Sequence, residues 1–294
     1  MPRSALLSIH ARVAGTPPTV IDNPSLIQIW GPRYSTYVIA AVDLPVFTLG
    51  RMPDDAAGQE RAERAAAQLH ELLAGSRMKY DHAGDALGVN ANSLRYGTTT
   101  GTIVLRWEGA RAPEVWTVPR LTMTVEDARL ELARRYLHVF GPATDISFAE
   151  WAGVAPRVAA TTFKSLSPEL AAVHTPLGEG WLLSADEAEA RAKDGPPAPA
   201  RLLPSGDTYY LLQGRDRELL LPDAQRRSEL WTSRVWPGAL LVDGEISGVW
   251  RRANEKVDIT TWQRLTPAQT EAVEAEAVSM PLPGLVKPIT VRWQ

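Results

Sequence analysis

An α+β fold is predicted for this 294-residue sequence: tandem winged helix-turn-helix modules followed by a mostly β C-terminal subdomain. Three observations predict it. A helix–helix–helix–hairpin pattern occurs twice, the two copies in register at an offset of 65 residues. Beyond Arg201, short apolar runs alternate with turn pairs such as Asp243-Gly244. The length, at roughly 150 residues per domain, calls for two compact units or several small modules packed together.

Four stretches follow along the chain. The first, 1–58, is dense in aromatics and prolines. Asn23-Pro24 reads as a helix start, with Asn23 as cap and Pro24 at the first helical position. Tyr34–Ala41 alternates as a strand does. Asp43–Leu49 reads as a short helix capped by the Asp43 carboxylate. The second stretch, 59–123, opens with a helix over Glu60–Leu73 that places Ala66, Leu69, Leu72 and Leu73 on one face. A helix over Asp81–Leu87, stopped by Gly88, and a third helix capped by Asn90 come next. Strands over Thr102–Trp107 and Glu114–Val118 close the stretch. Three helices and a hairpin in that order are the winged-helix pattern, whose third helix normally enters the major groove.

The third stretch, 124–194, repeats the second. Helices are predicted over Ala128–Phe140, Ser147–Ala152 and from Pro156 to Leu166, then a hairpin over His174–Leu183. Leu87-Gly88-Val89 aligns with Ala152-Gly153-Val154, and Trp116 with Trp181. A charged helix over Ala185–Lys193 and a Gly195-Pro-Pro-Ala-Pro linker lead to the last stretch, 200–294. There Leu240–Val242 and Ile246–Arg251 flank Asp243-Gly244 as a hairpin. Val257–Leu265 and Leu285–Trp293 add strands around a helix over Pro267–Val278.

Composition removes several classes of function. The chain has no cysteine, which excludes thiol chemistry, iron–sulfur clusters and thiolate zinc sites. Its formal net charge is −3, so any nucleic-acid face is a local basic patch and not a global surplus. No stretch of 18 or more apolar residues and no secretory leader is present, which predicts a soluble cytoplasmic protein without a membrane partner. Arg outnumbers Lys by 26 to 5, as in bacterial genomes of high GC content. There is no Gly-Lys-Ser/Thr phosphate loop and no Gly-x-Ser-x-Gly elbow. None of the five histidines falls in HExxH spacing. His82 and Asp85, one helical turn apart, read better as a surface pair than as metal ligands, so neither metal nor cofactor is expected.

The basic residues that remain are candidates for DNA. Arg95 sits on the third helix of the first repeat, with Arg157 and Lys164 in comparable positions in the second. Each fits a phosphate or guanine contact, or equally a solvated face of a packing helix. Arg215 and Arg217, in an Arg-Asp-Arg run, and Arg251-Arg252 are the other clusters, as well read as solvated hairpin edges. The ten tryptophans are core by default, an aromatic stacking platform being the alternative.

Five segments resemble the winged-helix superfamily that contains the AlkZ and YcaQ bacterial DNA glycosylases. Ile27–Ile39, with Trp30, Arg33 and Tyr37, is similar to that family's W-x-x-R-G-T-L-H-L-V segment and is followed by Asp43-Leu-Pro. Ala133–Thr144 and Phe148–Gly153 resemble its last winged helix. Arg201–Arg217 resembles its L-L-P-x-F-D-x-Y-L-L-G-x-R-D-R, and Trp236–Arg252 its C-terminal hairpin. The resemblance implies three winged helices in a C-shaped arrangement around a basic cleft for double-stranded DNA. It also implies excision of N-alkylated bases and unhooking of interstrand crosslinks without metal or cofactor, in the cytoplasm at the nucleoid. Arg33 and Tyr37 would lie near the cleft, with Arg95, Arg157, Lys164, Arg215, Arg217, Arg251 and Arg252 as DNA contacts.

Four departures from the family pattern matter. Tyr37 stands where the family has His, Ser35 where it has Gly, and Gly206 where it has Phe. The family holds its attacking water with a Gln-x-Gln or Gln-x-Asp pair just upstream of a segment resembling Ser4–Ile9, and no such pair occurs in this sequence. Residues 1–58 are therefore expected to form a partial first module, with an uncovered apolar face that would pair with a second copy. Catalytic residues are not assigned. A glycosylase, a non-catalytic duplex binder or regulator, and a protein-interaction scaffold all remain open.

Overall fold

The computed structural model describes residues 2–108, 112–120, 122–193, 195–211, 216–285 and 287–294. The chain divides into two compact units. Asn23–Ala192 form the first, and Pro2–Asp22 with Lys193–Gln294 form the second. The opening helix α1 (Pro2–His10) thus belongs with the C-terminal residues and not with the stretch that follows it.

The first unit starts with a hairpin. Asn23 and Pro24 do not start a helix. The Asn23 side chain accepts from the Ser25 amide in a local turn, and strand β1 (Leu26–Trp30) follows. The run Leu-Ile-Gln-Ile-Trp alternates and is β-rich, and pairing on two sides outweighs the Asn-Pro start signal. β1 pairs antiparallel with β2 (Thr36–Ala40), Ile29 opposite Tyr37, and on its other side with β4 (Ile103–Arg106). Helix α2 (Leu44–Leu49) comes where a helix was expected, but Asp43 makes no capping bond and instead accepts from Arg135 at 3.4 Å.

The repeated pattern then appears twice. In the first copy, α3 (Ala56–Leu73) is capped by Asp55, and β3 (Met78–Lys79) leads into α4 (Tyr80–Leu87). A 3-10 helix over Ala91–Thr100, opened by the Asn90 side chain, takes the place of the third helix. β4 and β5 (Glu114–Thr117) complete a five-stranded sheet in the order β2-β1-β4-β5-β3. In the second copy α5 (Val125–Phe140), α6 (Asp145–Ala152) and α7 (Pro156–Leu166) precede a hairpin of β6 (Leu170–Thr175) and β7 (Gly178–Leu183).

The offset of 65 is visible in the backbone. α4 and α6 start at 80 and 145, and the third helices at 91 and 156. Met78 pairs with Val115 and Ala143, 65 residues on, pairs with Trp181, one residue beyond the same offset. Gly88 and Gly153 both end a helix in the left-handed region, φ +66° and +72°, which glycine adopts without a Cβ penalty. The charged helix expected over Ala185–Lys193 shortens to α8 (Glu187–Ala190).

Separate apolar cores serve the two copies. Trp30, Leu69, Leu73, Leu94, Ile103 and Leu105 pack together in the first, and Leu132, Tyr136, Phe148, Phe163 and Leu166 in the second.

The second unit is built on a five-stranded sheet in the order β12-β11-β10-β9-β8. Its strands are β8 (Ala200–Leu203), β9 (Gly238–Val242), β10 (Glu245–Ala253), β11 (Lys256–Thr261) and β12 (Thr290–Trp293), the last pair parallel. Helices α9 (Asp216–Leu220) and α10 (Ala224–Leu230) lie between β8 and β9. Helix α11 (Pro267–Ser279) opens with a reciprocal Thr266–Gln269 capping box.

Helix α1 is fastened into this unit. Leu7 packs with Leu202, Leu240, Trp250 and Val273, and Ala11 with Leu203 and Tyr210. The buried Asp207 carboxylate accepts from Ser8 at 2.6 Å and from two nitrogens of Arg12 at 2.9 and 2.7 Å. Leu6 and Leu7 are buried within this unit, Leu7 against its sheet.

Candidate nucleic-acid interface

The basic candidates of the first unit fall on two kinds of surface. The first is the outer face of α7. Val158, Ala159, Thr162, Phe163 and Leu166 turn inward, a helical stripe that leaves Arg157, Thr161, Lys164 and Ser165 exposed. Arg157 stands in the first turn and is ion-paired to Asp54 at 2.5 Å, although its side chain is 73% exposed. An exposed pair of this kind is worth under about 1 kcal/mol, so Arg157 exchanges partners readily.

Beside it lies a cleft of about 450 Å³, lined by Asp54, Glu126, Arg129, Arg157, Thr161 and Ser165 among others. Arg129 is more deeply held there, donating to the carbonyl oxygens of Gly50 and Met52. Burial lowers its pKa, with Asp54 and Glu126 pulling the other way.

The second surface is the turn between β1 and β2. Arg33 is exposed there, and Tyr37 is half-buried on β2. Burial pushes the Tyr37 phenol up, opposed by the nearby charges of Arg51 and Arg33. Arg51 was not singled out from sequence, since no periodicity marks an arginine that ends up buried. It donates from Nε to the Ala152 carbonyl at 3.0 Å and from Nη1 to the Trp30 carbonyl at 3.0 Å. Desolvation pushes its guanidinium down to about 10, which still leaves it charged at neutral pH.

Arg95 behaves differently from the other candidates. Its guanidinium carbon lies 5.8 Å from the ring centroids of both Trp30 and Tyr80, and its Nε is buried without a hydrogen bond among the described residues. It is aimed at the aromatic core as much as at solvent.

In the second unit, Arg217 lies 5.0 Å from the Trp231 ring and 5.3 Å from the Trp236 ring. Arg251 donates to the Val235 carbonyl at 3.0 Å, and Arg252 to the Asn254 carbonyl. All three have local partners that sequence reading did not foresee. Arg215 lies outside the described residues.

No cluster of three or more His, Asp or Glu side chains able to hold a metal ion occurs among the described residues. Among the same residues, no helix is long and apolar enough to cross a membrane.

The chain as a whole matches known proteins. The family model described as "DNA glycosylase AlkZ-like" matches residues 1–280. The chain belongs to the AlkZ-like DNA glycosylase family. The interstrand DNA cross-link repair glycosylase of Streptomyces sahachiroi is 27% identical over 172 residues, 57% of this chain and 46% of that protein. The match thus spans less than half of that relative's length. The solved structure of Streptomyces sahachiroi DNA glycosylase AlkZ superposes with a TM-score of 0.77 at 17% identity, covering 99% of this chain and 89% of that one. That likeness establishes a common fold with the AlkZ-like family.

Proposed function

We propose that this AlkZ-like chain binds duplex DNA, as part of the repair of alkylated or crosslinked DNA. The reading rests on one observation above the others. In the helix–helix–helix–hairpin order of its second repeat, the third helix α7 leaves Arg157 and Lys164 exposed on its outer face. That order is the winged-helix order, in which the third helix reads the major groove. Arg33 and Tyr37 at the β1–β2 turn supply a second contact in the same unit. Arg217, Arg251 and Arg252 contribute by exchanging the rings and carbonyls they touch for phosphate, while Arg95, packed on Trp30 and Tyr80, serves the fold.

The chemistry of base release needs little beyond a held water. Alkylation at N7 leaves the purine cationic and its glycosidic bond weakened, so a polar side chain that positions water at the sugar carbon suffices. The chain carries no Gln-x-Gln or Gln-x-Asp pair for that task. Binding is therefore the primary activity assigned to it, and base release is measured alongside.

Mobility shift and base release on a duplex carrying N7-methylguanine test the reading over a range of salt. Binding is expected to weaken steeply with salt, because each neutralised phosphate releases about 0.9 counterion. An Arg157→Ala/Lys164→Ala double variant should lose much of the affinity and about two units of slope. Absent or salt-insensitive binding overturns the proposal in favour of a protein-binding scaffold. Release of the base extends the proposal to catalysis through a group other than a Gln pair.

A further inference from the structure

The turn that carries Arg33 is strained, and its strain has a visible cause. Arg33 and Tyr34 are consecutive and both left-handed, at φ +56° and +57°. Non-glycine residues seldom adopt that region, and a bulky one does so only where its surroundings dictate it. Around Tyr34 they do. Its ring lies 5.2 Å from the guanidinium carbon of Arg51 and meets the Tyr96 ring edge-to-face at 5.2 Å and 86°. Arg51 is itself fixed to the Trp30 and Ala152 carbonyls, and Tyr96 is backed by Arg61 at 4.7 Å. Three backbone bonds close the turn: Gly31 to Ser35 at 2.8 Å, Tyr34 to Gly31 at 2.9 Å and Ser35 to Pro32 at 3.2 Å. Pro32 is buried and Arg33 is exposed. The turn's backbone and the Tyr34 ring are anchored, and the Arg33 side chain is exposed.

We propose that Tyr34 is a positioning residue, whose ring, gripped by Arg51 and Tyr96, holds the turn in the conformation that presents Arg33 to a backbone phosphate of duplex DNA. The inference rests on the DNA-binding reading and deepens it, since it names how one contact is pre-organised. Strain of this kind persists at a binding site because the relaxed turn would hold the arginine elsewhere. A fixed cation loses less conformational freedom on binding than a free one.

Tyr34→Phe, Tyr34→Ala, Arg33→Ala and the Tyr34→Ala/Arg33→Ala double variant test this, with duplex affinity measured across salt and amide exchange measured without DNA. Tyr34→Phe keeps the grip and should match the parent in every reading. Tyr34→Ala should speed exchange at Gly31 and Ser35, weaken duplex binding about fivefold and lower the salt slope by about one, the same as Arg33→Ala. The double variant should bind no worse than Arg33→Ala alone, because Tyr34 acts through Arg33. Additive losses, or an affinity unchanged by Tyr34→Ala, overturn the inference while leaving DNA binding standing. Exchange unchanged by Tyr34→Ala overturns the grip with or without DNA. A parent chain that binds no duplex overturns the DNA reading and the phosphate role of Arg33 together, and the exchange data then judge the grip alone.

Discussion

The two repeats of the first unit share a frame and use it differently. In the first copy, β1, β2 and β3 extend the hairpin to five strands, and apolar residues cover both faces: Trp30, Ile103 and Leu105 on one, Ile29, Ile39 and Val104 on the other. Its third helix is a 3-10 segment pressed so close to α3 that a Cβ on Gly97 would sit 3.0 Å from the Ala66 nitrogen. In the second copy the hairpin stays two-stranded, Trp181 remains 41% exposed, and α7 is a regular helix with a free polar face. Each copy keeps a core of its own, but the hairpin and third helix are more enclosed in the first and more exposed in the second. A repeat in sequence therefore does not imply a repeat in exposure, and under the proposed duplex-binding reading the helix open to a groove is α7 of the second copy.

The sharpest way to break that comparison is to fill matching positions. Gly97 and Thr162 lie 65 residues apart, each buried on its third helix. Gly97→Val should destabilise the protein by about 3 kcal/mol, since the clash is with helix backbone that has nowhere to move. Thr162→Val keeps volume and loses only the hydroxyl's bond to the Val158 carbonyl, at a cost of about 1 kcal/mol. Denaturant midpoints read both variants. Equal losses would mean that the two helices are packed alike.

How much of this was legible follows from the range of the forces. Local signals read true. Gly88 and Gly153 end their helices, Pro156 starts one, and Asp243-Gly244 turns a hairpin. Each is decided within a few residues by φ or by an unpaired amide. What depended on distant partners was hidden. Asn23-Pro24 is a sound helix start, but pairing with β2 and β4 makes the next residues a strand. Residues 2–22 join the C-terminal sheet through Leu7, Ala11 and the Arg12–Asp207 pair, a contact across 195 residues. Among the candidate residues, charge and position on a helix singled out Arg157 and Lys164, which lie exposed on α7. They did not show that Arg95 and Arg217 lie against indole rings, nor that Arg51 is buried, because a cation over an aromatic face leaves no periodic trace.

The arginines of the two third helices sharpen the comparison next. Arg157→Ala should weaken duplex binding about fivefold, roughly 1 kcal/mol, and lower the salt slope by about one. Arg95→Ala should leave the slope in place and instead lower the unfolding midpoint, since its guanidinium is packed on Trp30 and Tyr80. Titration of both variants at four salt concentrations decides the matter. A change of slope with Arg95→Ala would restore the first repeat as a DNA surface.

A smaller effect is expected from the acid that holds Arg157. Asp54 lies 2.5 Å from its guanidinium and competes with phosphate for it. Asp54→Asn should raise duplex affinity two- to threefold at low salt, less than 1 kcal/mol, as befits an exposed pair. The gain should vanish in an Arg157→Ala background. A gain that persists there would show that Asp54 repels DNA directly and not through its partner.

The smallest expected effect lies where the second copy has a surface ion pair and the first has core. Arg134 grips Glu169 through Nε and Nη2 at 2.8 and 2.7 Å, while the positions 65 residues earlier are the fully buried Leu69 and Val104. The Arg134 hydrogen bond lowers the pKa of Glu169 below its ordinary value near 4.5. A lowered folded pKa means that the pair adds stability above the unfolded value. That stability is lost as the pH falls through the folded one. Glu169→Gln should therefore lower the melting temperature slightly at pH 7, by well under 1 kcal/mol, and match the parent once the pH is well below 4. Melting curves over pH 3–7 test this. A deficit that stays constant to the lowest pH would mean that the contact is held by packing and that the charge is incidental, so that the second repeat would at this point resemble the first.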